Sequence, residues 1–150
     1  MKKLMVLALL IWGFPALPQM TKTLLNLDKN GVAIEGYDPV AFFTQGKPVK
    51  GNAQFQSPYK GATYHFASAD DKGAFDANPA KYEPQFGGFC AYGVSQGHVV
   101  PIKIEATQIV NGRLLMQYDL DIKDKFNKDP QGNLAKADKN WPGLVDKKGR

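Results

Sequence analysis

The chain has one cysteine, Cys90, set in Gly87-Gly88-Phe89-Cys90-Ala91-Tyr92-Gly93, and two histidines, His65 and His98. A thiolate is a soft metal ligand and a nucleophile. A single thiol excludes a disulfide within the chain, and the absence of CxxC excludes a zinc-finger site on ligand count. A thiolate with imidazole partners suits a soft ion such as Cu(I). The candidate metal ligands are therefore Cys90, His65 and His98. His98 follows Cys90 across a glycine-rich stretch that can fold back, and His65 projects from an expected strand. Met116 adds a thioether, although methionine in a hairpin strand commonly fills a core.

Cys90 has two other readings. It can be a small apolar residue packed in a glycine-rich turn, or a reactive redox thiol. The backbone N–H groups of Gly87–Ala91 would lower its pKa if they formed a nest. No catalytic residues are expected. A cysteine nucleophile needs an adjacent base, and no local protease or transferase signature is present. Glu35 and Asp38 are near in sequence, yet nothing sets them across a cleft, and Asp38-Pro39 reads as a turn cap. The aromatic residues Tyr37, Tyr64, Tyr82, Tyr92, Phe42, Phe66, Phe86 and Phe89 could line a small-molecule pocket, but such residues more commonly build a core. No phosphate loop or dinucleotide glycine pattern occurs.

Several elements must position these groups. Leu24–Asp28 and Val32–Ile34 flank Lys29-Asn30-Gly31 and predict a hairpin-like entry. Asp38 is placed to cap a turn, with Pro39 at a first helical position. The run Val40–Thr44 fits a short helix or a strand. Gln54–Tyr59 and Ala62–Ala67 predict two strands around Lys60-Gly61, with His65 on the face opposite Tyr64 and Phe66. Ser68 opens a helix anchored by Phe75 and ended by Asn78-Pro79. Lys81–Pro84 is a connector, Gln85–Gly97 a tightly wound loop, and His98–Ile104 a strand. Asn111-Gly112 between Thr107–Val110 and Arg113–Tyr118 is a strong hairpin signal. Asp119–Lys128 predicts an amphipathic helix with Ile122 and Phe126 inward. Leu134–Trp141 predicts a short helix stopped by Pro142-Gly143. No internal repeat shows. The expected fold class is α+β: a single domain with a small, mostly antiparallel sheet, hairpins and several short helices.

The ends bear on location. Lys2 and Lys3 precede an apolar run, Leu4–Phe14, too short for the roughly 20 residues of a membrane span and suited to a secretory signal. Residues 1–22 are expected to be a signal peptide or N-terminal anchor, and 23–150 the domain. The expected location is exported and periplasmic, with membrane attachment only through an uncleaved N-terminal segment. The formal charge of +5 includes those two lysines, and Lys147-Lys148-Gly149-Arg150 adds to the excess. No arginine stripe interleaved with aromatic residues occurs, so a nucleic-acid partner is not expected.

Gly36-Tyr37-Asp38-Pro39-Val40-Ala41-Phe42-Phe43 is one part of a wider pattern. It is followed by Tyr59-Lys60-Gly61-Ala62-Thr63-Tyr64-His65-Phe66-Ala67-Ser68, then by Pro84-Gln85-Phe86-Gly87-Gly88-Phe89-Cys90-Ala91-Tyr92-Gly93-Val94, and by Asn140-Trp141-Pro142. With these residues the chain resembles YHS-domain proteins over about 31–145, in particular stand-alone exported bacterial members. The resemblance implies heavy-metal handling, with a copper ion as the first candidate cofactor. Many such modules carry a second cysteine where this chain reads Phe66-Ala67-Ser68. The leading expectation is a non-enzymatic, exported protein that binds a copper-like ion through Cys90. The alternatives are a non-catalytic small-ligand or structural module with a packed cysteine, and a thiol redox protein. The expected partner is a metal ion or a small ligand.

Overall fold

The structure, a computed structural model, describes residues 21–150. The expected targeting segment 1–22 lies, except for its last two residues, outside the described residues.

Asp38 begins the first helix, α1 (Pro39–Thr44), by accepting the N–H groups of Val40 at 2.8 Å and Ala41 at 3.3 Å. That cap and the preset φ of Pro39 settle as helix a run whose periodicity alone was ambiguous. The chain then forms the hairpin of β1 (Asn52–Tyr59) and β2 (Ala62–Phe66), turning at Lys60-Gly61. Tyr64 and Phe66 face inward and His65 faces the other way, as strand alternation requires. The helix α2 (Ala69–Ala77) is capped by Ser68, whose Oγ accepts the Asp71 N–H at 3.1 Å. Its buried Phe75 packs on Tyr64 and Phe66 with ring centroids 4.9 and 5.1 Å away. The short helix α3 (Pro79–Tyr82) occupies part of the expected connector. The expected entry hairpin is reduced to one bridge, Leu27 to Ala33.

In the later part of the chain three expectations are corrected. The glycine-rich loop contains a helix, α4 (Ala91–Ser95), because Cys90 caps it. His98–Ile104 is not a strand over its length; β3 runs over Lys103–Val110 and pairs with β4 (Arg113–Gln117) across Asn111-Gly112. The expected amphipathic helix is present as α5 (Leu120–Asn127), capped by Asp119, with Phe126 fully buried. The last helix, α6 (Pro130–Lys148), runs straight through Pro142. Proline removes one helical hydrogen bond. Burial of Leu134, Ala137 and Leu144 in one core, with Trp141 against Phe86, holds the helix together across that gap.

A larger correction is that the chain does contain a repeat, in its structure. Each half opens with a left-handed bend: Ile34-Glu35-Gly36 with φ of 44°, 54° and 77°, and Phe86-Gly87-Gly88 with 54°, 60° and 80°. An aromatic residue and a cap follow, Tyr37-Asp38 and Phe89-Cys90. The cap's own N–H is held by the returning chain, Asp38 by the Val49 carbonyl and Cys90 by the Val100 carbonyl. The hairpins share a register. Tyr59 faces Ala62 and Asn52 faces Phe66, while Val110 faces Arg113 and Lys103 faces Gln117, with an irregularity at the same place in each. Then come a capped helix with a buried Phe75 or Phe126, and a helix that starts on Pro79 or Pro130. The sequence conceals this because few residues are retained, among them Gly36/Gly88, Gly61/Gly112, Phe75/Phe126 and Pro79/Pro130, while most side chains between them differ.

The α+β class stands, but among the described residues the four strands form two separate two-stranded antiparallel sheets rather than one. The halves are joined through β4. Leu114 and Met116 enter the core built on Phe66 and Phe75, whereas Leu115 enters the core with Phe126 and Val94. Strand β4 is thus buried on both faces, while its counterpart β2 is buried on one. Each fully buried aliphatic or aromatic side chain contributes about 1.5–3 kcal/mol, so β4 couples the two halves strongly.

Candidate functional site

Cys90 lies at the start of α4 and is 1% exposed. Its Sγ accepts the Gly93 N–H at 3.4 Å and donates to Gln117 Oε1 at 3.4 Å. The same Oε1 accepts the Tyr92 N–H at 3.1 Å. Burial pushes the Cys90 thiol up from its ordinary range, and the nearby Asp119 charge adds to this. The backbone N–H groups of Gly93, Tyr118 and Tyr92 act in the opposite direction but do not prevail. The expected nest therefore exists in a different form. It is built by the first turn of α4 and the end of β4, not by Gly87–Ala91, and the thiol is raised rather than lowered.

Cys90 forms the floor of a cavity of about 300 Å³, walled by Tyr92, Val100, Tyr118 and Ile122, with Gln96 and His98 at its edge. Gly93 permits this shape. A Cβ there would stand 2.7 Å from Val100 Cγ2, too close for the returning chain to lie on α4. That return is also held by the His98 N–H to the Gly93 carbonyl at 2.8 Å. His98 is exposed and lines the same opening.

The three candidate ligands do not converge. Cys90 and His98 line one cavity, while His65 is on the outer face of β2 in the first half. There its Nδ1 lies 3.4 Å from where a Gly36 Cβ would be, beside Lys50, and its charge acts on Asp28. Among the described residues no group of three His, Cys, Asp or Glu side chains is placed to hold a metal ion. Met116 is fully buried in the core, with its Sδ accepting from Thr107 Oγ1 at 3.3 Å.

A larger cleft of about 430 Å³ lies elsewhere, between the N-terminal strap, the β1–β2 turn and α6. Most of its charged groups are engaged, Lys22 only with the Asp146 carbonyl at 3.1 Å. Arg113 grips both Asp138 oxygens at 2.9 and 2.7 Å, and Lys60 pairs with Glu83 at 3.4 Å.

The family model of the YHS domain matches residues 40–85. That stretch, under a third of the chain, is similar to a YHS domain. The match begins in α1 and ends just before the second bend, so it covers most of the first half of the repeat. His65 falls within the YHS segment; Cys90 and His98 fall beyond it, as does much of the wider span of the resemblance. The YHS family is one often associated with metal handling. No curated protein and no solved structure matches the chain.

One residue of the site escaped the sequence reading. Gln117 is fully buried and touches Cys90, yet its Nε2 has no hydrogen-bond partner. The signal was present: it is a polar residue at an inward position closing the apolar run Leu114-Leu115-Met116, where the strand pattern calls for an apolar one.

Proposed function

We propose that the protein is an exported binder of a soft monovalent metal ion of the Cu(I) class, held by Cys90 and His98 and not by His65. The observation that carries this reading is that Cys90 and His98 line one cavity, with backbone N–H groups directed at the sulfur. One thiolate and one imidazole suit a soft ion that accepts few ligands, and N–H groups around the sulfur favour its deprotonated form. The apolar walls offer nothing to a hard, oxygen-seeking ion. Association of the YHS family with metal handling is consistent with the reading, although the matched segment stops short of both residues. Export rests on Lys2, Lys3 and the apolar run Leu4–Phe14.

The test is competition of the reduced protein against a chromogenic Cu(I) chelator. Cys90→Ser is expected to abolish binding, His98→Ala to weaken it by about tenfold or more, and His65→Ala to leave it unchanged. Uptake that survives Cys90→Ser, or that depends on His65, would refute the assignment.

A second reading has its own support. The cavity is far larger than a metal ion, and four of its walls are aromatic or aliphatic. A small apolar ligand lying over a packed Cys90 fits that shape. Binding of such a ligand unaffected by Cys90→Ser would favour it.

A further inference from the structure

Gln117 and Phe66 occupy the same place in the two halves, each the last residue of its hairpin's second strand. Both are fully buried. The fold fills this position with an aromatic ring in the first half, so it does not need an amide there. What differs is the cap beside it. In the first half the cap is Asp38, which takes the backbone N–H groups of Val40, Ala41 and Ala67 by itself. In the second half the cap is Cys90, and the Tyr92 N–H goes to Gln117 instead. Gln117 thus supplies the acceptor that a neutral thiol lacks. Its amide has a second end that nothing uses, since Nε2 is buried without a partner. A buried donor left unmade is costly and calls for an explanation.

We propose that Gln117 is a positioning residue for the Cys90 sulfur. Its Oε1 holds the resting thiol, and its unused Nε2 is the donor for the sulfur after a metal ion has taken the place of the thiol proton. This rests on the metal reading of the preceding subsection. As the sulfur–metal bond forms, the S–H bond breaks and the proton leaves to water. Oε1 then faces a thiolate instead of a donor. Turning the amide about its last side-chain bond exchanges the two ends, so that Nε2 reaches the sulfur, and the Tyr92 N–H that Oε1 gives up passes to the thiolate it already lies beside. Outer hydrogen bonds of this kind orient a ligand and tune its hold on metal.

The test uses Gln117→Leu, which offers no acceptor, with Gln117→Met, closer in size and with only a weak thioether acceptor, as the second variant should the first fail to fold. Three properties are compared with the wild type. The first is the S–H stretching band of the metal-free protein, which belongs to Cys90 alone because the chain has one cysteine. The others are Cu(I) affinity by chelator competition and the rate of Cys90 alkylation. The band is expected to rise in frequency as the acceptor is lost, and Cu(I) affinity to fall by about tenfold or more. A shifted band with unchanged affinity overturns the proposal, as does an unshifted band. If the wild type takes up no Cu(I), the metal reading falls. Alkylation then decides the role of Gln117: a several-fold change in rate at equal global stability supports control of the sulfur, and an unchanged rate ends it.

Discussion

Asp38 and Cys90 do the same structural work in the two halves of this protein with different chemistry. Both begin a helix, both give their backbone N–H to the returning chain, and both receive N–H groups on the side chain. Asp38 is enclosed, with Asp71 against it and a Phe66 ring where the second half has an amide. Cys90 is the floor of a cavity, because Ile122 stands where Asp71 would and the chain around Val100 and His98 arches over it. The comparison teaches that the fold by itself builds an N–H-lined cradle at each cap. The first half fills its cradle with a carboxyl group and stays closed. The second places a protonated sulfur there and leaves room beside it.

The largest expected effect tests whether the cradles differ in strength. Asp38→Ala leaves two buried N–H groups and one partly buried one without an acceptor and should cost about 3 kcal/mol. Cys90→Ala removes a weak sulfur acceptor and a small volume, and should cost about 1–2 kcal/mol. Urea denaturation midpoints measure both. Equal losses would mean that Cys90 is as structural as Asp38, and the contrast would collapse.

A smaller effect sharpens the same contrast through pH. Partial burial and the adjacent Asp38 carboxyl push Asp71 up to about 6 from its ordinary value of 3.8. A folded-state pKa above the unfolded one means that the native state prefers the protonated acid. Its contribution is fully present below about pH 4 and is lost as pH rises through about 6. Asp71→Asn keeps the uncharged state at every pH, so the variant should be the more stable one at neutral pH. After allowance for solvent screening at a partly exposed group, the gain is on the order of 1 kcal/mol. It should vanish near pH 4. A wild type and variant whose difference does not change between pH 4 and 7 would show that the two carboxyl groups are not coupled.

Much of this was legible in the sequence where a single residue dictates local geometry. Asp38-Pro39, Ser68 and Asn111-Gly112 each marked their element, because caps and tight turns are decided by a few neighbouring atoms. The alternation that turned His65 away from Tyr64 and Phe66 was also readable. What was hidden depended on tertiary contact. Pro142 reads as a helix stop until Leu144 on one side and Leu134 on the other are known to enter one core. His65 and His98 look equivalent on paper; only the arch over α4 places one of them beside Cys90. The repeat was invisible because β4 is buried on two faces and β2 on one, so the side chains of the two hairpins differ while the backbone path does not.

The smallest expected effect concerns the two hairpin turns. Both use left-handed residues, Lys60-Gly61 with φ of 48° and 88° and Asn111-Gly112 with 52° and 72°. Asparagine adopts this region readily, while a lysine there carries steric strain. Lys60 is kept in place by its pairing with Glu83, but with 60% of its side chain exposed that contact contributes little. Lys60→Asn copies the second turn into the first and should raise stability by about 0.5 kcal/mol, the relief of strain exceeding the lost pair. A measured loss would mean that the reach of Lys60 to Glu83 and over the Tyr59 ring, 5.1 Å from its Nζ, holds the first hairpin against α3 in a way the second hairpin does not require. That result would make the two turns, like the two caps, alike in path and different in purpose.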